Sequence, residues 1–203
     1  DYSAALDIRK ENPVLYSQRA VAYKLQGKLA EAIKDYDKAI QLVDKDISAW
    51  MGRGFVKFQM DNFQGAVDDF SKVIEMAPQS AVAFNNRGFN LQQLKEFKRA
   101  AADYQRAIEL APGYVLALQN RAWLLTTCEQ TDLRDPVEAI ELAKKINEIS
   151  EYKDISDLTL MGAAFASAGD FETAVGWQEK ALAIATPEQK AIAEKVLALY
   201  HAK

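Results

Sequence analysis

Two rows of charge run through the 203-residue chain at a common interval. Arginine recurs at 19, 53, 87 and 121 and aspartate at 1, 35, 69 and 103, each 34 residues from the next. A bare arginine row could bind anions, whereas arginines matched to aspartates form structural ion pairs. Two pairings are open. Within one repeat Arg19 meets Asp35, but the position aligned for Arg121 is then Leu142, which leaves an orphan. Between neighbours Asp1 meets Arg19, Asp35 meets Arg53, Asp69 meets Arg87 and Asp103 meets Arg121, with no charge left over. The second scheme is the expectation. It makes the pairs a register device between successive repeats, and losing one side of a buried pair would cost roughly 3–5 kcal/mol.

Other reactive chemistry is sparse. The single histidine, His201, lies near the end of the sequence and is expected in solvent, and the single cysteine, Cys128, has no histidine near it in sequence. A lone thiol of this kind reads as buried and inert. There is no glycine-rich phosphate loop and no Cys/His cluster for zinc, so no catalysis, metal or cofactor is expected. The formal charge of −4, with Lys and Arg interleaved among Asp and Glu, argues against a nucleic-acid partner. No apolar run approaches the roughly 20 residues that cross a bilayer, so a soluble protein without membrane insertion is expected. One cysteine excludes an intrachain disulfide and leaves the compartment open.

The elements that carry these residues repeat with them. Small residues recur at Ala20, Gly54, Gly88, Ala122 and Gly162, large apolar ones at Tyr16, Trp50, Phe84, Leu118 and Leu158, and alanine at Ala32, Ala66, Ala100, Ala139 and Ala174. Apolar spacing within each half-unit is helical, and small residues allow two helices to approach closely. Turns are expected near Gly27, Asp61-Asn62, Lys95-Glu96 and Gly169-Asp170, mostly types that end a helix. One helical hairpin cannot bury its apolar face alone, so the hairpins should stack.

This 34-residue pattern of large apolar, small, aromatic, alanine, aromatic, alanine and proline (Pro78, Pro112) resembles the tetratricopeptide repeat. The resemblance implies an all-α, right-handed α-α superhelix of the TPR solenoid type with a C-terminal capping helix. Residues 1–12 read as the second helix of a truncated repeat, with Tyr2, Ala5 and Ile8 in the places of Tyr36, Ala39 and Leu42. Repeats follow at 13–46, 47–80, 81–114, 115–154 and 155–187, and a capping helix at 188–203. On this reading an N-terminal part, with any export signal, is missing. The cap opens on Thr186-Pro187-Glu188-Gln189, a capping box. Its apolar side is expected to be Ile192, Val196, Leu199 and Tyr200.

In that family the first helices line a concave face where ligands bind, which implies a peptide groove here at Phe55, Phe58, Asn85, Asn86, Phe89, Gln92, Gln119, Asn120 and Trp123. Phe55, Phe89 and Trp123 are 34 apart and offer side-chain pockets, while the amides could hydrogen-bond an extended backbone. The stripe reads equally well as packing between first helices. A carboxylate clamp of the chaperone-adaptor kind is not expected, since only Asn86 matches its pattern.

The fourth repeat carries an insertion near Cys128–Arg134, ahead of a helix start at Asp135-Pro136-Val137-Glu138. With the downstream "GDFETAVGWQEKAL" it resembles bacterial repeat proteins of unassigned role, which implies a bacterial origin. The loop reads as a tolerated insertion or as a contact. The expected function is a non-catalytic scaffold that holds a protein or peptide partner. The alternatives are self-assembly through the exposed leading half-repeat, or a regulatory or adaptor domain of a larger bacterial protein.

Overall fold

The computed structural model describes residues 2–9 and 11–203, and they form twelve α-helices, one short 3-10 turn and no strand. The helices are α1 (Tyr2–Ile8), α2 (Pro13–Leu25), α3 (Leu29–Leu42), α4 (Ile47–Gln59), α5 (Phe63–Met76), α6 (Ala81–Gln93) and α7 (Phe97–Leu110). Then come α8 (Val115–Thr127), α9 (Pro136–Ile149), α10 (Ile155–Ser167), α11 (Phe171–Ile184) and α12 (Pro187–His201). Contacts divide the chain into two compact units, residues 1–110 and 111–203.

In the first unit α2/α3, α4/α5 and α6/α7 are hairpins, with α3 packed on α4 and α5 on α6. The hairpin turns share one geometry. Gly27, Asp61 and Lys95 all take positive φ (73°, 56° and 62°). Lys28, Asn62 and Glu96 donate their backbone N–H back to Tyr23, Lys57 and Leu91, which is the six-to-one closure that ends a helix through a left-handed residue. The first helices start on side-chain caps, with Asn12, Asp46 and Ser80 accepting from the first-turn amides. These caps satisfy donors that would otherwise be orphaned.

Close approach inside a hairpin depends on the small residues. A Cβ on Gly88 would lie 2.9 Å from a ring carbon of Tyr104 and 3.2 Å from the Ala100 carbonyl oxygen. The core of the first hairpin is Ala20, Ala32, Tyr36 and Ala39, extended by Ala49 and Val56 of α4.

The second unit pairs α8 with α9 and α10 with α11, and α12 packs on α11. The inserted loop turns through Thr131–Leu133 and is pinned by Arg134 Nε, which donates to the Cys128 carbonyl at 2.8 Å. Asp135 then caps α9 by accepting from the Glu138 amide at 3.0 Å. Gln189 Oε1 accepts from the Thr186 amide at 3.0 Å, closing the start of α12.

The apolar side expected for α12 needs correcting. Ala193 is 4% exposed and is the most enclosed residue of α12; of the four expected, Val196 and Tyr200 are half-buried, whereas Ile192 and Leu199 stand 68% and 66% exposed. The helix seats through its smallest side chain because that lets its backbone come near enough for Gln178 Nε2 to donate to the Ala193 carbonyl at 3.1 Å. Among the described residues no helix is long and apolar enough to cross a membrane.

Candidate interaction surface

The charge rows pair within hairpins, not between them. Arg19 grips Asp35 with Nε and a terminal nitrogen, both at 2.7 Å. Arg53 grips Asp69 at 2.9 and 2.7 Å, and Arg87 grips Asp103 at 2.7 Å twice. This corrects the expected Asp35–Arg53, Asp69–Arg87 and Asp103–Arg121 bridges, and Asp1 lies outside the described residues. The orphan that weighed against pairing within a hairpin does not exist, because Arg121 turns to Glu138 at 2.5 and 2.9 Å. Glu138 lies one helical turn before Leu142, on the same face of α9.

The link to the preceding hairpin is made by the third arginine nitrogen and by different residues. Arg53 donates to Asp37 at 2.5 Å, Arg87 to the Ser71 hydroxyl at 3.2 Å and Arg19 to the Ser3 hydroxyl at 3.4 Å. Residues 3, 37 and 71 also recur at 34, a signal that the sequence reading passed over. Aromatic rings at Tyr16, Trp50 and Phe84 cover the guanidiniums, with centroids 5.7, 4.6 and 5.6 Å away. Burial works against the charge on Arg53, but the hydrogen bonds to Asp69 and Asp37 outweigh it and raise its pKa. No guanidinium of this row is left for an anion.

The nine candidate groove residues divide. In the first unit Phe55 sets its ring edge-on to Phe70 at 5.5 Å, and Phe58 meets Phe89 the same way at 5.5 Å. Phe58–Phe89 therefore packs one first helix on the next. Asn85 is 3% exposed, because its side of α6 faces the packed interior, and it is withdrawn from the surface. Gln92 Oε1 accepts from the Tyr104 hydroxyl at 2.9 Å. Asn86 is half-buried, and its Nδ2 has no hydrogen-bond partner. A cleft of about 290 Å³ opens between α2 and α4 at Val14, Ser17, Gln18, Val21 and Ser48, where the Ser17 hydroxyl has no partner.

In the second unit Gln119 Nε2 donates to the buried carboxylate of Asp157 at 2.6 Å, so Gln119 serves packing as well. Asn120 is half-buried. Trp123 lies in the wall of a cleft of about 240 Å³ with Ile155, Thr159, Ile192 and Val196, and Gln178 is part of its lining. Sequence reading missed this cleft because it placed Ile192 on the apolar side of α12 without saying what lies against that side. The signal was there in the spacing of 192, 196 and 199, which makes one face without saying what covers it. A second cavity, of about 570 Å³, lies at Tyr152, Leu158, Trp177 and Lys180. Lys180 Nζ lies over the Trp177 ring, 3.7 Å from its centroid, and Tyr152 stacks on the same ring with centroids 6.0 Å apart. Cys128 is buried and His201 exposed. No cluster among the described residues could hold a metal ion.

Within each unit helical hairpins of one length stack side by side, which defines a solenoid-type repeat protein. The family profile of the tetratricopeptide repeat matches residues 13–45 and 81–114, so the chain carries tetratricopeptide repeats in those two segments. Its structure superposes on the crystal structure of YrrB, a TPR protein with an unusual peptide-binding site, with TM-score 0.75, 24% identity, and 97% and 98% of the two chains covered. It also superposes on MamA with TM-score 0.74 and 22% identity, over 88% and 93% of the chains. At these identities the likeness is one of fold. A heat-shock cognate co-chaperone, sgt12 of Aspergillus fumigatus, is 35% identical over 65 residues, which are 32% of this chain and 19% of that protein.

Proposed function

We propose that the protein is a non-catalytic interaction scaffold that takes a segment of a partner protein against its first helices. The observation that carries this reading is that a cleft opens on the first helices of each unit, one at Val14 and Val21 and one at Trp123. Apolar side chains border both clefts in the open. Val14, Val21 and Ile192 are exposed, and exposed apolar patches with polar rims mark interaction sites. The family supports the reading, since such repeats generally serve as interaction scaffolds, and the YrrB structure is described as having a peptide-binding site.

The test is recovery of partners from native extract with wild-type protein, Val14→Glu/Val21→Glu and Trp123→Ala. All these side chains are exposed or half-exposed, so circular dichroism should report unchanged helix content. A partner held by wild type should be lost or reduced in at least one variant. Equal recovery by all three proteins would sink the first-helix surface as the binding face.

A further inference from the structure

The two units differ sharply in charge. Residues 1–110 carry 16 basic and 15 acidic side chains, whereas residues 111–203 carry nine basic and 14 acidic. The second unit is therefore at net −5 and the first near neutral. The Trp123 cleft lies wholly within the acidic unit. Its lining is uncharged, being built from Trp123, Ile155, Thr159, Ile192, Val196 and Gln178. The charges adjoining that lining in sequence are Asp154, Asp157, Glu179, Glu188 and Glu194 against Lys190 and Lys195. A hydrogen bond with Thr186 lowers the pKa of Glu188, so that carboxylate is charged at neutral pH.

The lining also contains an unmet polar group. Gln178 is fully buried. Its Nε2 is committed to the Ala193 carbonyl, and its Oε1 has no donor. A buried acceptor without a donor costs free energy that an incoming N–H recovers. The exposed isoleucine at 192 is unsealed on the same side, where a second apolar group would remove it from water.

We infer that this cleft is an anchor site for one aliphatic side chain of a basic partner segment, in which Lys or Arg flank the anchor and a backbone N–H is offered toward Gln178 Oε1. This deepens the scaffold reading and rests on it. The field of a net −5 unit selects against acidic segments and raises the encounter rate of basic ones. The anchor's methyl groups would meet Trp123, Ile155 and Val196, and Ile192 would close over it.

The test uses full-length protein labelled with 5-fluorotryptophan, whose three resonances (Trp50, Trp123 and Trp177) are assigned by single Trp→Phe variants. The probes are the capped tripeptides Ac-Lys-Leu-Lys-NH2, Ac-Glu-Leu-Glu-NH2 and Ac-Lys-Gly-Lys-NH2, titrated to millimolar concentration at low salt. The Trp123 signal is expected to move with Ac-Lys-Leu-Lys-NH2 while the other two stay still. The acidic peptide should bind about fivefold more weakly, a difference in keeping with exposed charge interactions. The glycine peptide should leave the signal unmoved. Ile192→Asp, at an exposed position, should abolish the response without unfolding the protein, and Gln178→Met should weaken it.

Equal response to the acidic and basic leucine peptides would overturn the charge selection. A still Trp123 signal with all three would overturn the anchor site. Partner recovery that survives Trp123→Ala but is lost in Val14→Glu/Val21→Glu would leave the scaffold reading standing and sink this one alone.

Discussion

Arg53 closes on Asp69 inside one helical hairpin, its Nε and one terminal nitrogen donating to the two carboxylate oxygens at 2.9 and 2.7 Å. Asp69 is 1% exposed, and Lys57 adds a second cation at 2.9 Å. Removing Arg53 leaves a buried carboxylate with half its compensation, so Arg53→Met should destabilise by about 3 kcal/mol, the low end for a broken buried pair because Lys57 stays. Arg53→Met/Asp69→Leu should recover most of that loss. In a double-mutant cycle by urea unfolding, Arg53 should couple to Asp69 by more than about 1 kcal/mol and to Asp35 by close to zero. Strong coupling to Asp35 would restore the neighbour-to-neighbour scheme.

The helical repeat was legible because three independent signals agreed on one interval: the small residues at 20, 54 and 88, the turn residues at 27, 61 and 95, and the large apolar residues at 16, 50 and 84. The partner of each arginine was not, for a physical reason. A helix offers the same face at steps of three or four residues, so Glu138 could replace an aspartate at position 142 without keeping the interval. The groove was harder still. Asn85 and Asn86 are equivalent on paper, and only the packing of α6 decides that one is buried and the other half-open. Ile192 likewise belongs to an apolar face of α12 that a sequence can show without saying whether anything covers it.

The three equivalent hairpin turns invite a comparison within one molecule. Gly27, Asp61 and Lys95 adopt the same left-handed conformation. A lysine pays a steric penalty there of about 1–2 kcal/mol, part of which is offset because glycine loses more chain entropy on folding. Lys95→Gly should therefore stabilise by about 0.5–1 kcal/mol. Gly27→Ala should destabilise by about 1 kcal/mol. Thermal midpoints measured side by side check both signs, and a less stable Lys95→Gly protein would mean that the side chain contributes contacts that outweigh its backbone strain.

Alkaline stability should report the buried tyrosines. Burial, assisted by the charge of Asp103, raises the Tyr104 pKa far above its ordinary value, and burial also raises Tyr36 and Tyr200. A raised folded pKa leaves the phenol's contribution intact below the unfolded value of about 10 and removes it progressively as pH climbs past that point. Tyr104→Phe loses the bond to Gln92 and should be about 1 kcal/mol less stable at pH 7. Above pH 10 the gap to wild type should narrow, since phenylalanine has no proton to lose. Urea midpoints across pH 7–11 test this, and a gap that stays constant would show that Tyr104 does not drive the alkaline loss.

The seating of α12 can be separated from its exposed face by two glutamates one residue apart. At position 193 the side chain is enclosed, so Ala193→Glu forces a carboxylate into a space that holds one methyl group. Overpacking and an unpaired buried charge act together there, and about 3 kcal/mol or more should be lost. The adjacent Ile192→Glu removes an apolar group that is already mostly in water and should change stability by less than about 0.5 kcal/mol. Amide exchange would localise the difference: protection should fall through α12 in Ala193→Glu and persist in Ile192→Glu. If the two variants lose protection equally, Ile192 belongs to the sealed face after all, and the open cleft beside Trp123 closes with it.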